Sequence, residues 1–211
     1  MKLHKLASAT ILLALSLPAV AQPPAEEQDT SLSFFITSIG SGDGANLGGL
    51  DGADARCTEL AEAAGTTGKT WHAYLSTDDV DARDRIGSGP WFNANGDLVA
   101  RSVDHLHYSN VLLNKQNSIT ESGEQINGVG DSPNMHDMLT GTNPDGTSSG
   151  QNCENWTSNG EGAATVGHHD RVGGGAMAES WNAAHPSRGC SQENLQASGG
   201  NGFFYCFATG E

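Results

Sequence analysis

Of eight histidines in 211 residues, three gather where metal chemistry is conceivable: His168-His169-Asp170, with His185 following. Imidazoles and a carboxylate bind Zn²⁺ or Cu²⁺ when three of them converge. Neighbouring residues of a strand point to opposite faces, so His168 and His169 cannot both reach one ion from extended backbone. The sequence therefore favours no cofactor. Zn²⁺ on His168, His169 and Asp170 is the minor alternative, and dialysed protein is expected to carry no stoichiometric transition metal. Gly146-Thr147-Ser148-Ser149-Gly150 has the spacing of a serine nucleophile elbow. That chemistry needs a strand before the serine and a helix after it. Here a turn precedes and the β-prone Cys153-Glu154-Asn155-Trp156 follows, so the motif reads as a polar hairpin loop.

The remaining polar constellations are thinner. His105 and His107 share a face if their segment is extended, but no third ligand accompanies them. Ser41 to Asn46 lacks the alternating oxygens and closing Glu of a calcium loop. Trp71 and Trp156 lie in strand-like patterns and are assigned to the core. Trp181, in a Gly- and Ala-rich loop, is expected to be exposed and able to stack on a ligand. With Asn182, His185 and Arg188 it forms the candidate ligand-binding set.

Ten basic residues oppose 25 acidic ones, a net charge of −15, while only 17% of residues are charged and 36% are hydrophobic. The length suits one domain with a real core. The acidic balance argues against nucleic acid and anionic membrane surfaces, which need clustered Lys and Arg. Residues 1–21 read as a secretory signal: Lys2 and Lys5, an apolar Ile11 to Leu17, then Pro18-Ala19-Val20-Ala21 before the cleavage point. That stretch is too short to span a bilayer, so no membrane insertion is expected. No Cys follows it, which argues against a lipid anchor and for a secreted or periplasmic product. Residues 22–33, with two Pro and an acidic run, are assigned to a flexible segment, and residues 34–209 to a single domain.

Four cysteines in an exported chain favour disulfides over metal ligation. Cys57, Cys153, Cys190 and Cys206 show no C-x-x-C spacing, and three pairings are open. Phe34 to Thr37 is β-prone. A helix is expected over Asp51 to Ala64, with Ala53, Cys57, Leu60, Ala61 and Ala64 as one apolar stripe. Trp71 to Ser76 reads as a strand, a second helix follows from Ser76-Thr77-Asp78-Asp79 to Gly87, and Phe203 to Phe207 closes the chain as a strand. The order is α+β.

Several motifs then carry a resemblance. Leu47-Gly48-Gly49-Leu50-Asp51-Gly52-Ala53-Asp54 leads into Cys57; Trp71-His72-Ala73-Tyr74-Leu75-Ser76 follows; Gly141-Thr142-Asn143-Pro144-Asp145-Gly146 precedes Cys153-Glu154-Asn155-Trp156-Thr157; and Tyr205-Cys206 ends the set. From about Phe34 to Ala208 the chain resembles the C-type-lectin-like fold, in its endostatin-like branch, as an exported bacterial form. The resemblance implies the nested pairing Cys57–Cys206 with Cys153–Cys190, and two helices packed on antiparallel sheet with long loops. The departures are informative. Asn143-Pro144-Asp145 is similar to a lectin calcium loop but directly follows the strand Met138–Thr142, and Trp181-Asn182 is followed by Ala183, so Ca²⁺ loses its second carboxylate. The arginine-rich heparin surface and the N-terminal zinc histidines of endostatins have no counterpart.

The resulting expectation is a non-enzymatic ligand-binding module for a glycan or an envelope or matrix polymer, displayed on loops between Gly141 and Ser198. Its rivals are a metal-dependent enzyme or metal-binding protein using His168, His169 and His185, and a structural envelope protein.

Overall fold

The computed structural model describes residues 28–108, 112–174 and 177–209, so the signal sequence assigned to 1–21 lies outside the described residues. The long central strand is β8 (Gly200–Ala208). Strand β1 (Phe34–Ile36) pairs with it antiparallel, as does β2 (Trp71–Ala73), and β5 (Asp137–Leu139) pairs with it in parallel. Beyond β5 come β6 (Thr165–His168) and then β7 (His185–Pro186), each antiparallel to its neighbour. A separate ribbon joins β3 (Trp91–Phe92) to β4 (Leu98–Ala100). The chain is α+β, with four helices among the described residues: α1 (Gly49–Ala63), α2 (Val103–Tyr108), α3 (Cys153–Trp156) and α4 (Gln192–Ser198).

Strand alternation sorts side chains into two cores. Phe204, Cys206 and Ala208 face one core, with Phe35 and Trp71 and with Ala53, Cys57, Leu60 and Ala61 of α1. Phe203, Tyr205 and Phe207 face the other, with Phe34, Ile36, Tyr74, Trp91, Met138 and Trp181. A strand covered on both faces reads as a continuous apolar run, as Phe203 to Phe207 does.

Helix α1 begins two residues before the expected Asp51, because Gly48 in the left-handed region turns the chain into it. Ala64, expected on its apolar stripe, is exposed. Asp54 ties α1 to β2: its Oδ1 accepts from the Ala73 amide (2.8 Å) and its Oδ2 meets the Arg85 guanidinium (2.7 Å). The disulfides are Cys57–Cys206 and Cys153–Cys190, the nested pair. The first closes 149 residues, and a loop that long removes about 5 kcal/mol of unfolded-state entropy in the chain model.

Four local expectations are corrected. The second helix is only a 3₁₀ turn (Ala82–Asp84), because the Ser76 hydroxyl and the Val80 carbonyl take the Ala82 and Thr77 amides. His105 and His107 lie on helix α2 rather than on a strand. Cys153 to Trp156, the short α3, is no strand but a single left-handed turn with φ of 50°, 57°, 57° and 68° in sequence. Left-handed backbone disfavours side chains by about 1–2 kcal/mol per residue. This turn is held by the disulfide, by the Trp156 indole donating to the Ser76 carbonyl (2.8 Å), and by Asn152 accepting from the Asn155 amide (2.9 Å). Finally, the segment 22–33 joins the body at its end, where Leu32 is buried and the Ser33 amide donates to Phe92 (2.9 Å).

Replacing both Cys57 and Cys206 by Ser is expected to lower unfolding free energy by about 2–5 kcal/mol in urea titrations. Removing Cys153–Cys190 is expected to loosen the Cys153–Trp156 turn as well. A second expectation concerns His107, whose Nδ1 donates to Val103 (2.8 Å) and whose Nε2 accepts from the Tyr74 hydroxyl (2.7 Å). Burial lowers its pKa below the ordinary value of 6.5, outweighing the Val103 hydrogen bond. Below pH 6.5 the unfolded chain therefore takes up its proton first, and stability falls with pH. His107→Gln is expected to flatten that decline.

Candidate metal centre

Register builds the site. Asp137 on β5 lies directly opposite His168 on β6, and His185 on β7 lies opposite Val166, two residues before His168 on the same face. Cross-strand pairs of this kind bring side chains within about 5 Å. His136, immediately before β5, stacks its ring on that of His168 with centroids 4.0 Å apart. Three Nε2 atoms then surround one oxygen, Oδ1 of Asp137: His136 at 3.2 Å, His168 at 3.3 Å and His185 at 3.6 Å. The ligand atoms of His136, Asp137 and His168 all lie within 4.8 Å of one another.

The other ring nitrogens are committed. His136 Nδ1 donates to Asp170 Oδ1 (3.2 Å), His168 Nδ1 to the Ala178 carbonyl (2.7 Å) and His185 Nδ1 to the Pro186 carbonyl (3.0 Å). An imidazole that donates from Nδ1 presents a lone pair at Nε2. All three lone pairs therefore face a carboxylate. Neither oxygen of Asp137 has a hydrogen-bond partner, nor has His168 Nε2, and all three atoms are buried. A buried carboxylate ringed by lone pairs is costly unless a proton or a metal cation sits among them. The three Asp137–histidine separations are near the edge, about 3.3 Å, of a tetrahedron with bonds of about 2.05 Å.

Glycines give the clearance. A Cβ on Gly200 would stand 3.0 Å from Cβ of Asp137, and one on Gly199 3.2 Å from Cδ2 of His136. Gly173, at φ +152°, covers the stacked rings, where a Cβ would sit 3.0 Å from Cε1 of His168.

Burial works against a proton on His168, but the Asp137 carboxylate and the Ala178 carbonyl outweigh it and raise its pKa. Burial likewise opposes ionisation of Asp170, yet His136 and the Val129 and Val172 amides hold its carboxyl far below the usual carboxylate range.

The sequence-derived candidates separate here. His168 and His185 enter the cluster. Asp170 stands behind it, orienting His136. His169 turns away, buried, its Nε2 donating to the Asn127 carbonyl (3.2 Å), and desolvation lowers its pKa to about 4. Trp181 and Asn182 are not exposed: both are buried, because the loop's polar atoms find partners inside. The Trp181 indole donates to Leu106 (3.1 Å), and Asn182 Nδ2 donates to the Tyr74 hydroxyl (3.1 Å). Arg188 is exposed and apart from the histidines' hydrogen bonds. His136-Asp137 escaped the sequence reading; a His-Asp pair directly before an apolar β-run was the available signal.

Calcium fits poorly, since it takes six to eight oxygens and this donor set is mostly nitrogen. No family model and no curated protein matches the sequence, so the site is read from its own geometry.

Two substitutions are expected to act in opposite ways in metal-free protein at pH 8. Asp170→Ala strands the Val129, Val172 and His136 N–H groups and costs about 3 kcal/mol. Asp137→Asn removes a buried charge without hydrogen bonds and leaves stability equal or higher, as measured by urea unfolding in EDTA.

Proposed function

We propose that the chain is an exported metal-binding module, with His136, Asp137 and His168 holding one Zn²⁺-class ion and His185 within reach as a fourth ligand. The observation that carries this reading is the buried Asp137 oxygen facing three Nε2 atoms at 3.2–3.6 Å, whose rings are each anchored through Nδ1. Anchoring of that kind fixes ring orientation and raises ligand basicity. The sequence alone weighed against any cofactor; the convergence of residues 32 and 49 positions apart reverses that balance.

Two disulfides suit an oxidising compartment. Among the described residues no helix is long and apolar enough to cross a membrane. With the signal-like residues 1–21, these features support a secreted or periplasmic location. The nested disulfides, and the pairing of β1 with β8, support assignment to the endostatin-like branch of the C-type-lectin-like fold. A carbohydrate-stacking role for the 177–190 loop loses its main support, because Trp181 and Asn182 are internal.

The test is calorimetric titration of the oxidised full-length chain after EDTA treatment and dialysis. One Zn²⁺ per chain is expected to bind, with no uptake of Ca²⁺. At about 100 times its dissociation constant, Zn²⁺ should add roughly 2.7 kcal/mol to unfolding free energy. His168→Ala and Asp137→Asn should abolish both effects. Absence of stoichiometric Zn²⁺ binding by the folded wild-type chain would overturn the proposal.

A further inference from the structure

The candidate ligands come from three neighbouring strands. His136 and Asp137 stand at the start of β5, His168 ends β6, and His185 begins the edge strand β7. That outermost strand has the weakest ladder: it is two residues long, and its Pro186 has no N–H to give. Beside it, the Ala184 and Ser187 amides donate to the Val166 and Ala164 carbonyls (2.7 and 2.8 Å), and the Ala164 amide donates to Ser187 Oγ (3.0 Å). Firm anchors lie to either side, the Trp181 indole in the aromatic core and the Cys153–Cys190 disulfide. Between those anchors, His185 aims Nε2 across β6 at Asp137 Oδ1 (3.6 Å), its ring edge-on to that of His168 with centroids 5.0 Å apart.

Metal sites that work on a substrate keep one ligand position open, whereas structural sites close all four with protein groups. Here His136, Asp137 and His168 are buried, and they line neither the cleft of about 270 Å³ beside His185 nor the one of about 600 Å³ along Gly173, Ala178 and Ser180. Resting on the metal reading above, we propose that the site is a closed structural clamp, with His185 as a permanent fourth ligand and with metal occupancy controlling local opening of β7. In the metal-free chain, β7 opens by breaking the Ala184 and Ser187 bonds while Trp181 and Cys190 stay in place. With the ion bound, the same opening must also break the His185–metal bond. Local openings arise in the least supported parts of a fold. A ligand that binds only the closed form suppresses them by a factor of 1 + [metal]/Kd. The ion thus cross-links the outer end of the sheet, as Cys57–Cys206 fixes its centre to α1.

The test compares amide hydrogen exchange of the oxidised full-length chain in EDTA and in Zn²⁺ at about 100 times its dissociation constant. Exchange at Ala184 and Ser187 is expected to slow by about tenfold or more in Zn²⁺, with a ceiling of about 100-fold set by occupancy. The Gly96 amide, which donates to the Asn93 carbonyl (2.9 Å) in the β3–β4 turn, is the control and should keep its rate. Separately, Co²⁺ affinity is read from its visible absorption. His185→Ala is expected to weaken it by more than about tenfold, the least that losing even a supporting residue costs. Should that variant fail to fold, the exchange comparison on the wild-type chain decides alone.

Slowing of less than tenfold at Ala184 and Ser187 under bound Zn²⁺ would sink the clamp and leave the metal site standing. So would equal slowing at Gly96, which would mark a general stiffening. A folded His185→Ala variant that keeps Co²⁺ affinity to within tenfold would overturn the fourth ligand. Failure of the folded wild-type chain to take up Co²⁺ or Zn²⁺ would remove the metal reading itself.

Discussion

Strand β8 is buried along both faces, and the rest of the molecule is arranged by what must cover it. Its even-numbered residues Phe204, Cys206 and Ala208 need α1, to which the Cys57 disulfide bolts it. Its odd-numbered residues Phe203, Tyr205 and Phe207 need the aromatic layer of Phe34, Tyr74, Trp91 and Trp181. Both edges are also occupied, by β1 and by β2 and β5. The parallel pairing with β5 has the largest consequence, because it fixes where Asp137 stands, with its amide bonded to the Gly199 carbonyl (3.1 Å).

From that fixed point the geometry of the candidate site follows by register. His168 is the antiparallel partner of Asp137, and His185 is one strand further out. The loop that returns from β6 to β7 then does two jobs. It lays the Ser180 carbonyl on the His168 amide (2.9 Å) and the Ala178 carbonyl on the His168 ring (2.7 Å), orienting a ligand. It also packs Trp181 inward against Tyr74 and Tyr205, so the loop that holds the ring is itself held by the aromatic core. The absent side chain at Gly167 permits this, since a Cβ there would lie 1.9 Å from the Trp181 carbonyl oxygen.

The cluster is an exception to the rule that buried polar groups find hydrogen bonds. Several nearby polar atoms obey it: Asp170 takes the Val129 and Val172 amides, and Thr140 and Thr142 both donate to the Asn182 carbonyl (2.6 and 2.9 Å), although Nδ1 of the neighbouring His169 also lacks a partner. Against that background, the Asp137 carboxylate without a donor stands apart. Structural carboxylates in this protein are paired, as Asp54 is with Arg85. The contrast separates carboxylates with stabilising partners from a buried one with none.

What could be read along the chain was local. Apolar spacing located α1 to within two residues, the aromatic run located β8, and the even number of cysteines in a signal-bearing sequence pointed to disulfides. Short-range hydrogen bonding defeated the same reading at Ser76 to Gly87, where side chains and turn carbonyls took the amides a helix would use. At Cys153 to Trp156 a disulfide and an anchored indole imposed a left-handed turn that no propensity describes. For the site, His168 and His185 were visible as candidates and His169 was separable from His168 by strand alternation. The partnership of His136 and Asp137 with them was not visible, because it depends on the pairing of β5 with β6 and on stacking across it. Residue type and spacing determined which groups could bind a metal. Register, which flips every side chain with a one-residue slip, decided which of them face one another.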